Sequence, residues 1–266
     1  MIRKHLKTED DIISYIGGNY ALCLYLFLDL MQYGSDSNTV TVFIQEKKGV
    51  TTSILLEYYS CLHVYSSNND FDAEELGLFI ATRNLSMIYC TQKTAERIYN
   101  SLPESVLQYS RLSQGWVATI DKIDKKPMGL AERAKKEDFP QIVKMIYDDD
   151  DIGRSYDLDI LTKQIEERNN EGYARNLVIK DGDVVIAHAC TNAEFDNIAV
   201  VAELIVKKEY RNHGYGSEIW RDICSKLLTE GKEVFSFYYS TESRNLHLRI
   251  GFHEVCEWGK IVITHN

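Results

Sequence analysis

The sequence predicts an α+β fold in two parts: a mixed sheet flanked by helices, preceded by a smaller α/β domain. Three observations predict it. The 266 residues suffice for two ordinary domains. The elements legible from Pro127 onward run β-α-α-β-β-β-α-β-α-β. Two turn signals, Lys47-Lys48-Gly49 and Asp181-Gly182, join apolar runs into hairpins, which are necessarily antiparallel.

In the first part, residues 10 to 31 read as helix. "TVTVFIQEKKGVTTSILLEYY" reads as a hairpin, "DAEELGLFIATR" as a helix and "LSMIYCTQ" as a strand. "KTAERIYNSL" reads as a helix ended by Pro103. The segment "SRLSQGWVATIDKIDKKP", from Ser110 to Pro127, reads as the boundary, because its end is charged and punctuated by Pro127 and Gly129. The expected domains are 1–126 and 127–266.

In the second part, "GLAERA" reads as a short strand. "KKEDFPQIVKMIY" reads as a helix with Pro140 in its first turn, where the missing N–H costs nothing. "LDILTKQIEERNNEG" is a second helix that Gly172 ends. "NLVIKDGDVVIAHACT" is a hairpin. "VAELIV" is a strand, and a short loop carries it into the helix around Ile219, Ile223 and Leu227, which share one face. "EVFSFYY", a helix from Ser240 to Ile250, and "FHEVCEWGKIVIT" complete the order.

Composition excludes several classes. A hydrophobic fraction of 44% supports a sizeable core. A net charge of -10 argues against a general nucleic-acid binder, which needs a basic footprint. The acidic excess lies mainly after residue 127 and favours a cationic partner. The six cysteines form no C-x-x-C pair and read as buried thiols in a reducing cytosol, so no metal site is expected. The apolar run Ala21 to Leu28 is shorter than the roughly 20 residues a membrane span needs. Glu9, Asp10 and Asp11 precede it, against a signal peptide. The expected location is cytoplasmic, with no membrane contact.

The loop "RNHGYGS", Arg211 to Ser217, places two glycines where a strand hands over to a helix. A helix start carries unpaired N–H groups and partial positive charge, and glycines let an anion approach them. The loop therefore reads as a phosphate cradle, with Arg211 adding a charge-assisted contact. It is not a Walker A loop, since no lysine follows Gly216. It lacks the third glycine of a dinucleotide fingerprint, because Ile219 stands there. On spacing alone, a structural loop remains open.

"ELIV" followed by "YRNHGYG" resembles the acyl-CoA signature of the GNAT acetyltransferase superfamily. "STESRNLHLRIGF", Ser240 to Phe252, resembles that superfamily's later helix motif, in register. The resemblance covers about residues 128–266 and implies a GNAT-like, mostly antiparallel sheet. It implies acetyl-CoA as co-substrate, bound by the backbone of Leu204, Ile205 and Val206 and by Arg211, Asn212, His213, Gly214, Tyr215, Gly216 and Ser217. Ser240 stands where the family carries asparagine toward the pantetheine arm, and Ser243 lies in the same motif. His247 stands where most members carry the tyrosine acid. Glu203 is the expected base. The first part has the element order of a truncated, degenerate copy without the loop; it is expected to wall the acceptor cleft or to make a homodimer interface.

The implied reaction moves an acetyl group from acetyl-CoA to a primary amine on a small molecule or protein. It needs proximity, an oxyanion donor and proton transfer. The other readings are a non-catalytic acyl-CoA sensor, which Ser240 and His247 keep open, and a module for another anion. The acidic run Asp148 to Asp151 reads as a solvated loop or an acceptor-steering patch. His188 reads as a core or interface residue rather than a ligand.

Overall fold

In the computed structural model, which describes residues 1–5, 8–35, 37–149 and 157–264, Gly17 and Gly18 divide the first expected helix. Gly17 has φ 58° and ends α1 (Glu9–Ile16); α2 (Leu24–Tyr33) follows. The periodic apolar pattern survives the break, because both helices pack on one sheet face. Next come β2 (Val40–Lys47) and β3 (Val50–Tyr58), joined at Lys48 and Gly49, both at positive φ. A short β1 (Ile2–Lys4) pairs with β2.

β4 (Cys61–Tyr65), α3 (Ala73–Ala81), β5 (Met87–Thr91), α4 (Gln92–Tyr99) and α5 (Glu104–Leu107) follow. β6 (Ser110–Ile120) corrects one expectation: the segment read as a boundary is a strand as far as Ile120. Apart from Leu112 its first residues are polar, and full burial begins only at Gly115 and takes in Val117, Ala118 and Ile120.

The second part begins with β7 (Glu132–Arg133), then α6 (Phe139–Tyr147) and α7 (Leu158–Asn170). β8 (Asn176–Asp181) and β9 (Val184–Phe195) form the hairpin at Gly182, φ 59°. β10 (Ile198–Val206), α8 (Tyr215–Thr229), β11 (Glu233–Tyr238), α9 (Thr241–Ile250) and β12 (His253–Ile263) complete the chain. The two parts thus repeat one order, β-α-α-β-β-β-α-β-α-β, apart from the short α5.

The chain divides into two compact units. One comprises Met1–Val117 with Val255–Asn266, the other Ala118–Glu254. The sequence alone puts 127–266 in a single domain; in the structure the last strand returns to the first unit and the end of β6 joins the second. In the first unit the strand order is β1-β2-β3-β4-β5-β12-β6, and in the second the end of β6 is followed by β11-β10-β9-β8-β7. β1 with β2, β2 with β3, β3 with β4, β5 with β12, β7 with β8, β8 with β9 and β9 with β10 pair antiparallel; β4 with β5 and β10 with β11 pair in parallel, where a helix supplies the crossover.

In the first unit, Leu26 and Leu30 of α2 cover one sheet face, and Leu76, Ile80 and Ile98 of α3 and α4 cover the other. In the second, Ile142, Ile146, Leu161 and Ile165 of α6 and α7 pack on Val178, Val185 and Ile205. α8 lies against β8, β9, β10 and β11 with Ile219, Trp220, Ile223 and Leu227 buried. Among the described residues, no helix is long and apolar enough to cross a membrane.

Candidate functional site

β10 pairs in parallel with β11 only from Ile198↔Glu233 to Val201↔Ser236. Both strands continue, to Val206 and Tyr238, without further pairing between them. The cause is local. The β9–β10 register shifts between Ala202 and Ile205, and Glu203 takes φ 54°, a β-bulge that bends the strand. Ile205 stays anchored in the core, while Ala202, Leu204 and Val206 are half-buried. Strand edge left open in this way offers backbone donors and acceptors to an extended ligand.

The loop beyond β10 ends on the N-terminus of α8. Gly214 is its N-cap at φ 86°, a conformation that glycine adopts without strain. The first intrahelical bond runs from Glu218 N–H to the Gly214 carbonyl, so Tyr215, Gly216 and Ser217 have no acceptor within the helix for their N–H groups. No side chain caps this end. Arg211 Nε donates to the Val206 carbonyl at 3.0 Å, and its guanidinium lies 3.8 Å from Asp149. His213 Nδ1 lies 2.9 Å from the Arg211 carbonyl, so the exposed ring braces the loop. Asn212, at φ 66°, makes the turn with Gly214. Asp150 and Asp151 of the acidic run lie outside the described residues.

The equivalent crossover of the first unit is closed. At the start of α3, the Asp72 carboxylate accepts from Glu75 N–H at 3.0 Å, and Glu74 and Glu75 place further negative charge in the first turn. An anion there meets a carboxylate already at the N–H groups and like charge around it.

Glu203 turns toward a polar cluster on β8 and β9. The Cys190 thiol donates to its carboxylate at 3.3 Å, and approaches the Asn192 Oδ1 (3.3 Å) and the Ala202 carbonyl (3.6 Å). Burial raises the Glu203 pKa, against smaller opposing effects of the Cys190 hydrogen bond and the Arg168 charge. Burial likewise pushes the Cys190 thiol well up. His188 is fully buried, and its Nε2 lies 3.0 Å from Asn176 Oδ1. Desolvation lowers its pKa to about 3, against a smaller raising effect of the Glu203 backbone.

On α9, Ser240 is the N-cap, its hydroxyl accepting from Ser243 N–H at 3.2 Å. His247 is 3% exposed. Its Nδ1 donates to the Ser243 carbonyl (2.7 Å), and its Nε2 accepts from the Ser236 hydroxyl (2.8 Å). Trp220, Tyr238 and Phe252 surround the ring. Desolvation lowers its pKa to about 4, so it is neutral near pH 7 and both nitrogens are engaged. The imidazolium acid expected from the sequence is not the state this environment favours. The Tyr238 hydroxyl, with a raised pKa, donates to Glu254, which also holds Arg244.

The structure therefore brings Glu203, Leu204, Ile205 and Val206 to the open strand edge, with Arg211 to Ser217 at its end. It places His247 in the packing behind β11. Sequence reasoning does not pick out Cys190, Asn176 or Arg168 as site residues. The one available signal is alternation along β9, which puts His188 and Cys190 on one face.

The acetyltransferase (GNAT) family model matches residues 132–252. That stretch is a GNAT domain. Comparison with curated proteins finds no match. Among solved structures, a tandem GNAT protein from the clavulanic acid biosynthesis pathway is similar at 9% identity, covering 100% of this chain and 99% of its own, with TM-score 0.58. A GNAT-family acetyltransferase from Colwellia psychrerythraea shares 12% identity over 99% of this chain and 100% of its own, TM-score 0.57. A Drosophila protein shares 12% identity over 99% of this chain and 98% of its own, TM-score 0.70. At these identities the likeness is one of fold, and it extends through the first unit as well as the GNAT domain.

Proposed function

We propose that the chain is an N-acetyltransferase that moves an acetyl group from acetyl-CoA to a primary amine. The observation that carries this reading is the parting of β10 from β11 beyond Val201 and Ser236, directly before the uncapped N-terminus of α8. The pantetheine arm would pair with the open edge at Leu204–Val206, and the pyrophosphate would take the N–H groups of Gly214–Ser217. One acetyl-CoA would bind per chain, because Asp72 fills the corresponding position of the first unit.

In this reading Glu203 removes the proton from the incoming ammonium, directly or through water. The free amine forms the N–C bond at the thioester carbonyl, the nitrogen gives its second proton to solvent, and the C–S bond breaks to release thiolate. A thiol pKa of about 8.5 makes the thiolate a fair leaving group near neutral pH, so solvent can supply its proton. Glu203 and the net charge of -10 favour a cationic acceptor. The burial of His247 favours a second reading, a non-catalytic acyl-CoA sensor.

Two assays on the full chain separate the readings. Stabilisation against heat by acetyl-CoA, but not by ATP or NAD, supports both acyl-CoA readings; no stabilisation removes both. Thiol release from acetyl-CoA with a panel of amines is expected of the enzyme and not of the sensor.

A further inference from the structure

We propose that His188, Cys190 and Glu203 form a binding site for one thiophilic divalent cation of the zinc class. One donor atom from each residue lies within 4.8 Å of the other two. The Cys190 sulfur and the Glu203 carboxylate are already 3.3 Å apart. Two independent features point to a ligand. The first is His188: its Nε2 lies 3.0 Å from the Asn176 amide oxygen, and a proton held there leaves the lone pair on Nδ1. That buried Nδ1 has no hydrogen-bond partner of acceptable geometry. A carbonyl oxygen on the far nitrogen is the arrangement that orients imidazole ligands of metals.

The second feature is the backbone. His188 and Cys190 lie two residues apart on one face of β9, and the bulge at Glu203 turns a carboxylate toward them. Deprotonating Cys190 beside the Glu203 carboxylate would set two negative charges side by side; a divalent cation neutralises both. Thiolate and imidazole select zinc over magnesium or calcium, which take oxygen ligands. Three protein donors leave a fourth position for water. Binding releases the thiol proton to solvent, with no change of oxidation state. An occupied site withholds Glu203 from the amine, so zinc should inhibit transfer; that consequence rests on the proposed function, and the site does not.

The test is zinc and cobalt(II) binding by the full chain, read without any activity assay. Equilibrium dialysis should show one zinc per chain, and cobalt(II) should give a thiolate-to-metal charge-transfer band. Cys190→Ser should abolish that band, and Glu203→Gln should weaken zinc binding about tenfold or more. Cys256→Ser, on another strand, should change neither. Circular dichroism confirms that each variant is folded, and Glu203→Gln, at a half-buried position, guards against misfolding of Cys190→Ser. The proposal is overturned by absence of stoichiometric zinc, by a cobalt spectrum lacking the band, or by zinc affinity unchanged in Glu203→Gln.

Discussion

Val201 of β10 is the last residue that pairs with β11, and its partner is Ser236. The same Ser236 hydroxyl donates to His247 Nε2 at 2.8 Å. The point where the strands part is therefore tied to α9 by a buried hydrogen bond. That bond joins α9 to β11.

Replacing His247 by Phe should leave the Ser236 hydroxyl without its partner and cost about 1–3 kcal/mol of stability. The rate of acyl transfer at pH 7.5 should stay within about threefold of wild type, since a general acid would contribute about 10²-fold or more. A 10²-fold loss of kcat with an unchanged urea midpoint would instead make His247 the proton donor.

Stability should also depend on pH through His247. Its folded pKa of about 4 lies below the unfolded value of 6.5. Its contribution is fully present above pH 6.5, where both states are neutral. It is lost as pH falls toward 4, because the unfolded chain binds a proton that the folded one refuses. The slope from this residue approaches about 1.4 kcal/mol per pH unit within that window. Urea unfolding of wild type and His247→Gln should show the difference between them shrinking from pH 7 to pH 4.5; a constant difference would mean that His247 titrates normally in the folded chain.

Glu203→Gln keeps the shape of the bulge and removes the base. Acyl transfer should fall about 10²-fold, with acetyl-CoA affinity changed less than about threefold. Equal loss of affinity and rate, measured by calorimetry and by thiol release, would assign Glu203 to cofactor binding instead.

The order of elements in the second part is legible in the sequence because each carries its own punctuation: Pro140 in a first turn, Gly182 at a hairpin, Gly172 after a helix. The start of α8 is legible because Gly214 and Gly216 flank it. β4, "CLHVY", does not stand out, since five residues between two turns give too few alternations. β6 reads as a boundary because its early residues, Ser110 to Gln114, are polar apart from Leu112, and full burial comes only toward its end. The return of β12 to the first unit depends on pairing with β5 far back along the chain, from Thr91↔Trp258 to Met87↔Val262, and no local pattern encodes that. The protonation state of His247 is not legible in the motif. A motif fixes a position on α9, whereas Ser236, Trp220 and Tyr238, on other elements, fix the protonation state.

Gly214→Val should separate the cradle from the fold. A branched residue at φ 86° is strained by about 1–2 kcal/mol, yet no heavy atom lies within 4 Å of the added Cβ. The melting temperature should drop by a few degrees, and acetyl-CoA affinity should fall about tenfold or more as the helix start distorts. Unchanged affinity would remove the N-terminus of α8 from the binding site.

Binding of one acyl-CoA per chain, at the open edge of β10 and the N-terminus of α8, is the claim on which the rest depends. Isothermal titration of the full chain with acetyl-CoA, repeated on Gly214→Val, tests it most directly. The wild type should show one site per chain, and the variant should lose about tenfold or more in affinity. No binding, two equivalent sites, or equal affinity in the two proteins would contradict it.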